Sequence, residues 1–135
     1  MEKFIWSEKY SVGVKNLDDQ HKVVFESINN LIEANDLTVR SESITDALIK
    51  MTEFFWDHLE VEEKYMKEYG YPEFEKHVIQ HNEFREKIMD LNLDQMAHKD
   101  SVLEDLLIFL TGWWSNHILK VDMRYRSFFI NKGLT

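Results

Sequence analysis

The chemistry open to this chain starts with its histidines. Of six, five fall where apolar helical stripes would otherwise continue: His21, His58, His77, His81 and His117. A single histidine on such a stripe is ordinarily a hydrogen-bonded core residue, but five directed at one axis converge on a common target. His58 and Glu62 are four residues apart, and so are His77 and His81, a spacing that stacks two side chains on one helix face within reach of one ion. Glu62 on an apolar stripe is costly to bury unless it is paired or bound to a metal. Asp122 is the less evident seventh member, because five residues past His117 is not the same face of a regular helix. It joins the others only if the helix bends or ends there. On spacing alone it reads equally as a solvated aspartate beside Lys120 and Arg124.

The chain has no cysteine, which excludes disulfides, thiolate metal sites and cysteine nucleophiles together. Seven imidazole and carboxylate donors are too many for one tetrahedral zinc and suit iron, so two ions are implied. If both carboxylates bridge and a solvent-derived oxygen links the ions, three histidines complete six-coordination at one ion. Two histidines bring the other to five, and one position stays open for a small ligand.

These side chains need long, rigid elements to hold them. Four glycines and one proline are too few to punctuate a meander of strands and fit long helices joined by short loops. Helix A carries Leu17, Val24, Phe25, Ile28, Leu31 and Ile32, with His21 in the gap. Helix B carries Ile44, Leu48, Met51, Phe55, Met66 and Tyr69, with His58 and Glu62 in its gaps. Helix C is expected to start after Pro72, a residue suited to the first turn of a helix, and runs Phe74, His77, His81, Phe84, Ile88 and Leu91. Helix D follows the polar stretch from His98 to Ser101 with Leu103, Leu107, Leu110, Trp114, His117 and Val121. Short connections make successive helices antiparallel, so the reading is all-α, an up-down-up-down four-helix bundle. Phe4, Trp6, Tyr10, Val12 and Val14 mostly alternate but have no second strand to pair with, so residues 1–16 read as an extended arm laid on the bundle of residues 17–135.

At 135 residues, 44% apolar and 13% aromatic, the chain is expected to form one folded domain over 1–135. Sixteen basic against 25 acidic residues give a net charge of −9, which repels nucleic acid and anionic membranes. The opening MEKFIWSEKY lacks a signal peptide's apolar stretch, and the longest apolar run, Leu106 to Leu110, is far below the roughly 20 residues of a spanning helix. A soluble, cytoplasmic protein is the expectation.

The segments WSEKYSVGV, DDQH, HLEVEEKYM, YPEFEKHVIQH and WWSNHILKVDMRY resemble, in order and spacing, those of the hemerythrins, most closely the bacterial single-domain ones. That resemblance covers nearly the whole chain. It implies a non-haem di-iron centre, oxo- or hydroxo-bridged, that binds dioxygen reversibly for storage, delivery or sensing. It implies that His77, His81 and His117 bind one iron, that His21 and His58 bind the other, and that Glu62 and Asp122 bridge. Dioxygen is then the partner, with delivery requiring a protein that receives it.

Leu59, Trp114 and Ile118, neighbours of His58 and His117 on the same turns, are candidates for the oxygen pocket; ordinary core packing is the competing role for each. Trp114 departs from the leucine usual in the family and is expected to narrow the pocket. His98 reads as a solvated loop residue, and the run Glu60, Glu62, Glu63 as having two members in solvent. Trp6 and Trp113 read as packing. A binding protein rather than an enzyme is expected, because oxygen-activating bundles use more carboxylates, including paired Glu-x-x-His motifs absent here. The alternative is a di-iron enzyme acting on peroxide, oxygen or nitric oxide; a signalling module or iron buffer is a third reading.

Overall fold

The computed structural model describes residues 2–36 and 41–135; the side chain of Ile44 and the connection at 37–40 lie outside the described residues. Four long helical segments form a ring: α1 (Lys15–Asp36), α2 (Ser41–Glu68), α3 (Phe74–Met96) and α4 (Val102–Asn116). α1 packs on α2 and α4, and α3 packs on the same two from the other side. After α4 the chain makes a π-helical turn, His117–Asp122, and continues as α5 (Met123–Asn131). No strand occurs among the described residues.

The apolar stripes face inward as their periodicity requires. Val24, Ile28, Leu48, Phe55, Phe84, Ile88, Leu107, Leu110 and Trp114 belong to one buried cluster, with Leu59 and Ile118 at its lower edge. Leu17, Met66, Tyr71, Tyr125 and Phe129 belong to a second. Along the helices, a layer of buried His, Glu and Asp side chains falls between the residues of these two clusters.

The arm is not extended throughout, and α1 begins at Lys15 rather than at Leu17. A short 3₁₀ turn, Glu8–Tyr10, interrupts the arm, and the Asp18 carboxylate in the first turn of α1 takes Val12 N–H at 2.8 Å and Ser11 Oγ–H at 2.6 Å. This carboxylate ties the arm to the start of the helix. The arm's lack of a strand partner is met by one side chain: Asn29 accepts from Phe4 N–H at 2.7 Å and donates to Phe4 C=O at 2.9 Å. Gly13 sits at φ +78°, and a Cβ there would come within 3.1 Å of Ile130, so both its backbone and its space favour glycine.

Pro72 does not open α3; it lies in the turn before it. Phe74 N–H reaches Tyr71 C=O at 3.1 Å, which makes Pro72 the second residue of a β-turn, where its fixed φ is favourable. His98 is exposed and ends α3. It adopts φ +57°, and Lys99 N–H closes onto Asp94 C=O at 3.1 Å, the hydrogen bond of a left-handed helix cap.

Candidate metal centre

The seven sequence-derived residues meet in the polar layer, none more than 3% exposed. α1 supplies His21, α2 supplies His58 and Glu62, α3 supplies His77 and His81, and the π-turn supplies His117 and Asp122. The π-turn explains how Asp122 arrives. A turn with i to i+5 hydrogen bonds brings residues five apart onto one face, where a regular α-helix would rotate them well away from each other.

Each carboxylate divides its two oxygens between two groups of imidazoles. Glu62 Oε1 lies 2.7 Å from His77 Nε2 and 3.1 Å from His81 Nε2, whereas Glu62 Oε2 lies 3.5 Å from both His21 Nε2 and His58 Nε2. Asp122 Oδ1 lies 2.9 Å from His117 Nε2 and 3.0 Å from His77 Nε2, whereas Asp122 Oδ2 faces His21 Nε2 at 3.3 Å. Two donor sets result, sharing both carboxylates: a three-imidazole set and a two-imidazole set.

Close as they are, most of these atoms do not bond to each other. His21 Nε2, His58 Nε2, His77 Nε2, Glu62 Oε1 and both Asp122 oxygens have no hydrogen-bond partner among the described residues. Ligand-type atoms of Glu62, His77, His81, His117 and Asp122, and of His21, His58 and Glu62, lie within 4.8 Å of one another in each group, a spacing that ligands around a cation take. Adjacent donors of an octahedron with bonds of about 2.1 Å stand about 3.0 Å apart, and opposite ones about 4.2 Å. In the three-imidazole set the contacts of 2.7 to 3.1 Å fit adjacent corners. The 3.9 Å between His117 Nε2 and Glu62 Oε1 fits an opposite pair. The second set is looser, with Glu62 Oε2 3.5 Å from both imidazoles and Asp122 Oδ2 3.3 Å from His21, but its donors are of the same kind, and the residues present would suit a pair of metal ions.

Burial without metal would hold these groups in uneasy ionisation states. Burial pulls His21 and His77 down, but the neighbouring Asp122 and Glu62 carboxylates outweigh it and leave them at about 9 and about 10. Burial, with the charge of His21 beside it, pushes His58 down to about 3. Burial raises Glu62 and Asp122, and the surrounding imidazoles more than reverse this, leaving both carboxyls below their ordinary range.

Further residues, given no site role from the sequence, hold the imidazoles in place. His58 Nδ1–H donates to Gln20 Oε1 at 2.7 Å, and His81 Nδ1–H donates to Glu63 Oε2 at the same distance. His117 Nδ1 has a longer contact to Gln80 Oε1, 3.4 Å. These acceptors fix the proton on Nδ1 and turn the Nε2 lone pair into the cluster. Glu63 is thus not simply a solvated member of an acidic run. It is partly buried, and Arg85 donates to the same oxygen at 2.7 Å. Tyr125, fully buried, donates its hydroxyl to Glu62 Oε2 at 2.9 Å. Trp113 stacks on the His117 ring with centroids 4.2 Å apart, so its packing bears on the site directly. Leu59, Trp114 and Ile118 are all fully buried; Trp114 lies 5.7 Å from the His58 ring and 6.2 Å from that of His117.

Comparison with known proteins gives one consistent result. Residues 12–127 match the family model of the hemerythrin HHE cation binding domain. The chain is 27% identical over 126 residues to the bacteriohemerythrin of Clostridium acetobutylicum, covering 90% of this chain and 98% of that protein. It is 32% identical over 117 residues to the bacteriohemerythrin of Methylococcus capsulatus, covering 87% and 88% of the two. A crystal structure of wild-type hemerythrin superposes with a TM-score of 0.85 at 29% identity, covering 92% of this chain and 95% of the other.

Proposed function

This chain belongs to the hemerythrin family, and from that premise we propose that its buried cluster holds two iron ions and binds dioxygen reversibly, without turnover. The observation that carries this reading is the division of Glu62 and Asp122, each giving one oxygen to either imidazole set. His77, His81 and His117 would hold one iron, His21 and His58 the other, and the two carboxylates would be shared between them. A di-iron pair supplies the electrons that dioxygen draws on. The protein's part is position and dryness. Gln20, Glu63 and Gln80 keep Nε2 of three imidazoles free to ligate, Tyr125 orients the Glu62 bridge, and Leu59, Trp114 and Ile118 wall the two-imidazole side with hydrocarbon and indole.

Sets of three and two imidazoles leave one ion a donor short, which is the asymmetry a small-ligand site needs. The family's members are oxygen-binding proteins, and we extend that to this chain in place of peroxide, oxygen or nitric oxide turnover. Among the described residues no helix is long and apolar enough to cross a membrane. We place the protein in the cytoplasm, where it stores, senses or delivers oxygen to a receiving protein.

The test is an iron count followed by anaerobic reduction and an optical spectrum on admitting air. We expect two irons per chain, an oxygenated spectrum that persists for many minutes without reductant, and its reversal under argon. His77→Ala and His117→Ala lower the iron count, while His98→Ala, at the exposed cap of α3, leaves it at two. A count of one, equal loss on replacing His98, or immediate oxidation with consumption of oxygen overturns the reading.

A further inference from the structure

Trp114 is one of the largest fully buried side chains in the molecule, yet its indole Nε1–H has no hydrogen-bond partner among the described residues. A donor stripped of water and left unpaired is penalised, and such groups are uncommon enough in folded proteins to require a reason. The surroundings narrow the reasons. Three neighbouring rings offer no lone pair: Trp113 at 4.9 Å, Phe55 at 5.3 Å and Phe84 at 5.4 Å between centroids. Its polar ring neighbours are His58 at 5.7 Å, His117 at 6.2 Å and His21 at 6.5 Å.

None of those imidazoles can accept from it while the cluster is loaded. His58 and His117 turn Nδ1 toward Gln20 and Gln80. His21 with Nε2 on a metal carries its remaining proton on Nδ1 and is itself a donor there, also unpaired. The imidazole nearest to Trp114 is His58, of the two-imidazole set that is a donor short, and a ligand bound on that side would supply the missing acceptor.

Resting on the di-iron reading above, we propose that Trp114 Nε1–H donates a hydrogen bond to the small ligand held on the His21 and His58 side. Trp114 then selects for ligands whose outer atom carries negative charge or a strong lone pair. This role differs from bulk. A gate acts on the rates of entry and escape, whereas a donor acts on the equilibrium and on which ligand is preferred.

Azide binding to the oxidised di-iron protein separates the two. The forms compared are the parent, Trp114→Phe, Trp114→Leu, and a protein carrying benzothienylalanine at position 114, which keeps the indole's shape and replaces N–H by sulfur. Loss of one hydrogen bond to a charged acceptor weakens azide by roughly tenfold to a hundredfold. We expect that loss in all three altered proteins, whatever their bulk. The ligand-free melting temperature of the benzothienylalanine form should equal or exceed the parent's, because no donor is stranded. Azide affinity within about twofold of the parent in the benzothienylalanine form overturns the proposal, as does a loss confined to Trp114→Leu. Should Trp114→Phe fail to hold two irons, the isosteric form decides alone. A parent chain without two irons sinks the di-iron reading and this proposal with it; two irons with unchanged azide affinity sinks only this one.

Discussion

Glu63 shows how much of the centre depends on residues one step removed from it. A neutral imidazole has one lone pair, and an acceptor that holds the other nitrogen's proton aims that lone pair and makes it a better ligand. For His81 that group is a carboxylate, 2.7 Å from Nδ1 and pinned by Arg85, whose guanidinium lies over the Trp56 ring at 5.5 Å. Burial pushes Glu63 up, but His81 and Arg85 outweigh it and hold its carboxyl below the usual range. A charged acceptor raises the basicity of the ring more than a neutral amide does. Glu63→Gln should therefore leave the fold intact and weaken iron binding by roughly 10- to 100-fold, the usual effect of altering such a partner, read by chelator competition. Unchanged affinity would assign Glu63 to surface ion pairing alone. This role was not legible in the sequence, because Gln20, Glu63 and Gln80 each stand next to His21, Glu62 or His81 and so fall on the flank of the stripe, where polar residues ordinarily meet water.

Across the elements, the four long stripes were legible, since among the described residues of α1 to α4 buried positions recur about every three or four residues and the five histidines sit in register with them. What spacing could not supply was the π-turn. Nothing in HILKVD distinguishes six residues of π-helix from six of α-helix, and the choice is made by tertiary fit: Ile118 faces the upper apolar cluster and Tyr125 the lower, with Asp122 between them. A prediction follows from the geometry. In an α-helix the position sharing a face with His117 would be 121; in the π-turn it is 122. Asp122→Val should drop the iron count below two, and moving the carboxylate by Val121→Asp on that background should not restore it. Restoration by the swapped pair would mean that the turn relaxes to α-helix and is not what positions the bridge. The arm was legible only in part: its alternation was visible, whereas its pairing with the Asn29 amide depends on a contact 25 residues away.

For the molecule as a whole, two apolar clusters enclose a layer of five imidazoles and two carboxylates, and the stability of that arrangement depends on whether protons or metal ions fill it. In the metal-free protein His21 and His77 are raised to about 9 and about 10, so between their ordinary value of 6.5 and those values the folded chain binds more protons than the unfolded one. Their contribution is complete below 6.5 and is lost as pH climbs through about 9 and 10. His58 works in the opposite sense: at about 3 its folded form refuses a proton that the unfolded chain accepts, so stability falls as pH drops from 6.5 toward 3. The lowered Glu62 and Asp122 carboxyls add to that acid loss, since protonating them removes the partners of the charged imidazoles. The metal-free protein should therefore be most stable near its histidines' ordinary value and lose stability on both sides. Metal changes both sides. Once imidazoles are ligands they are already neutral, so folded and unfolded chains differ little in bound protons above 6.5 and the alkaline decline should flatten. On the acid side protons compete with metal for the same nitrogens, and the decline should steepen. Thermal unfolding of metal-free and iron-loaded protein between about pH 5 and 10 measures both limbs. A metal-free melting temperature that stays level up to pH 10, or an iron-loaded one that declines in parallel with it, would show that the layer is not held by protons on His21 and His77 when metal is withdrawn.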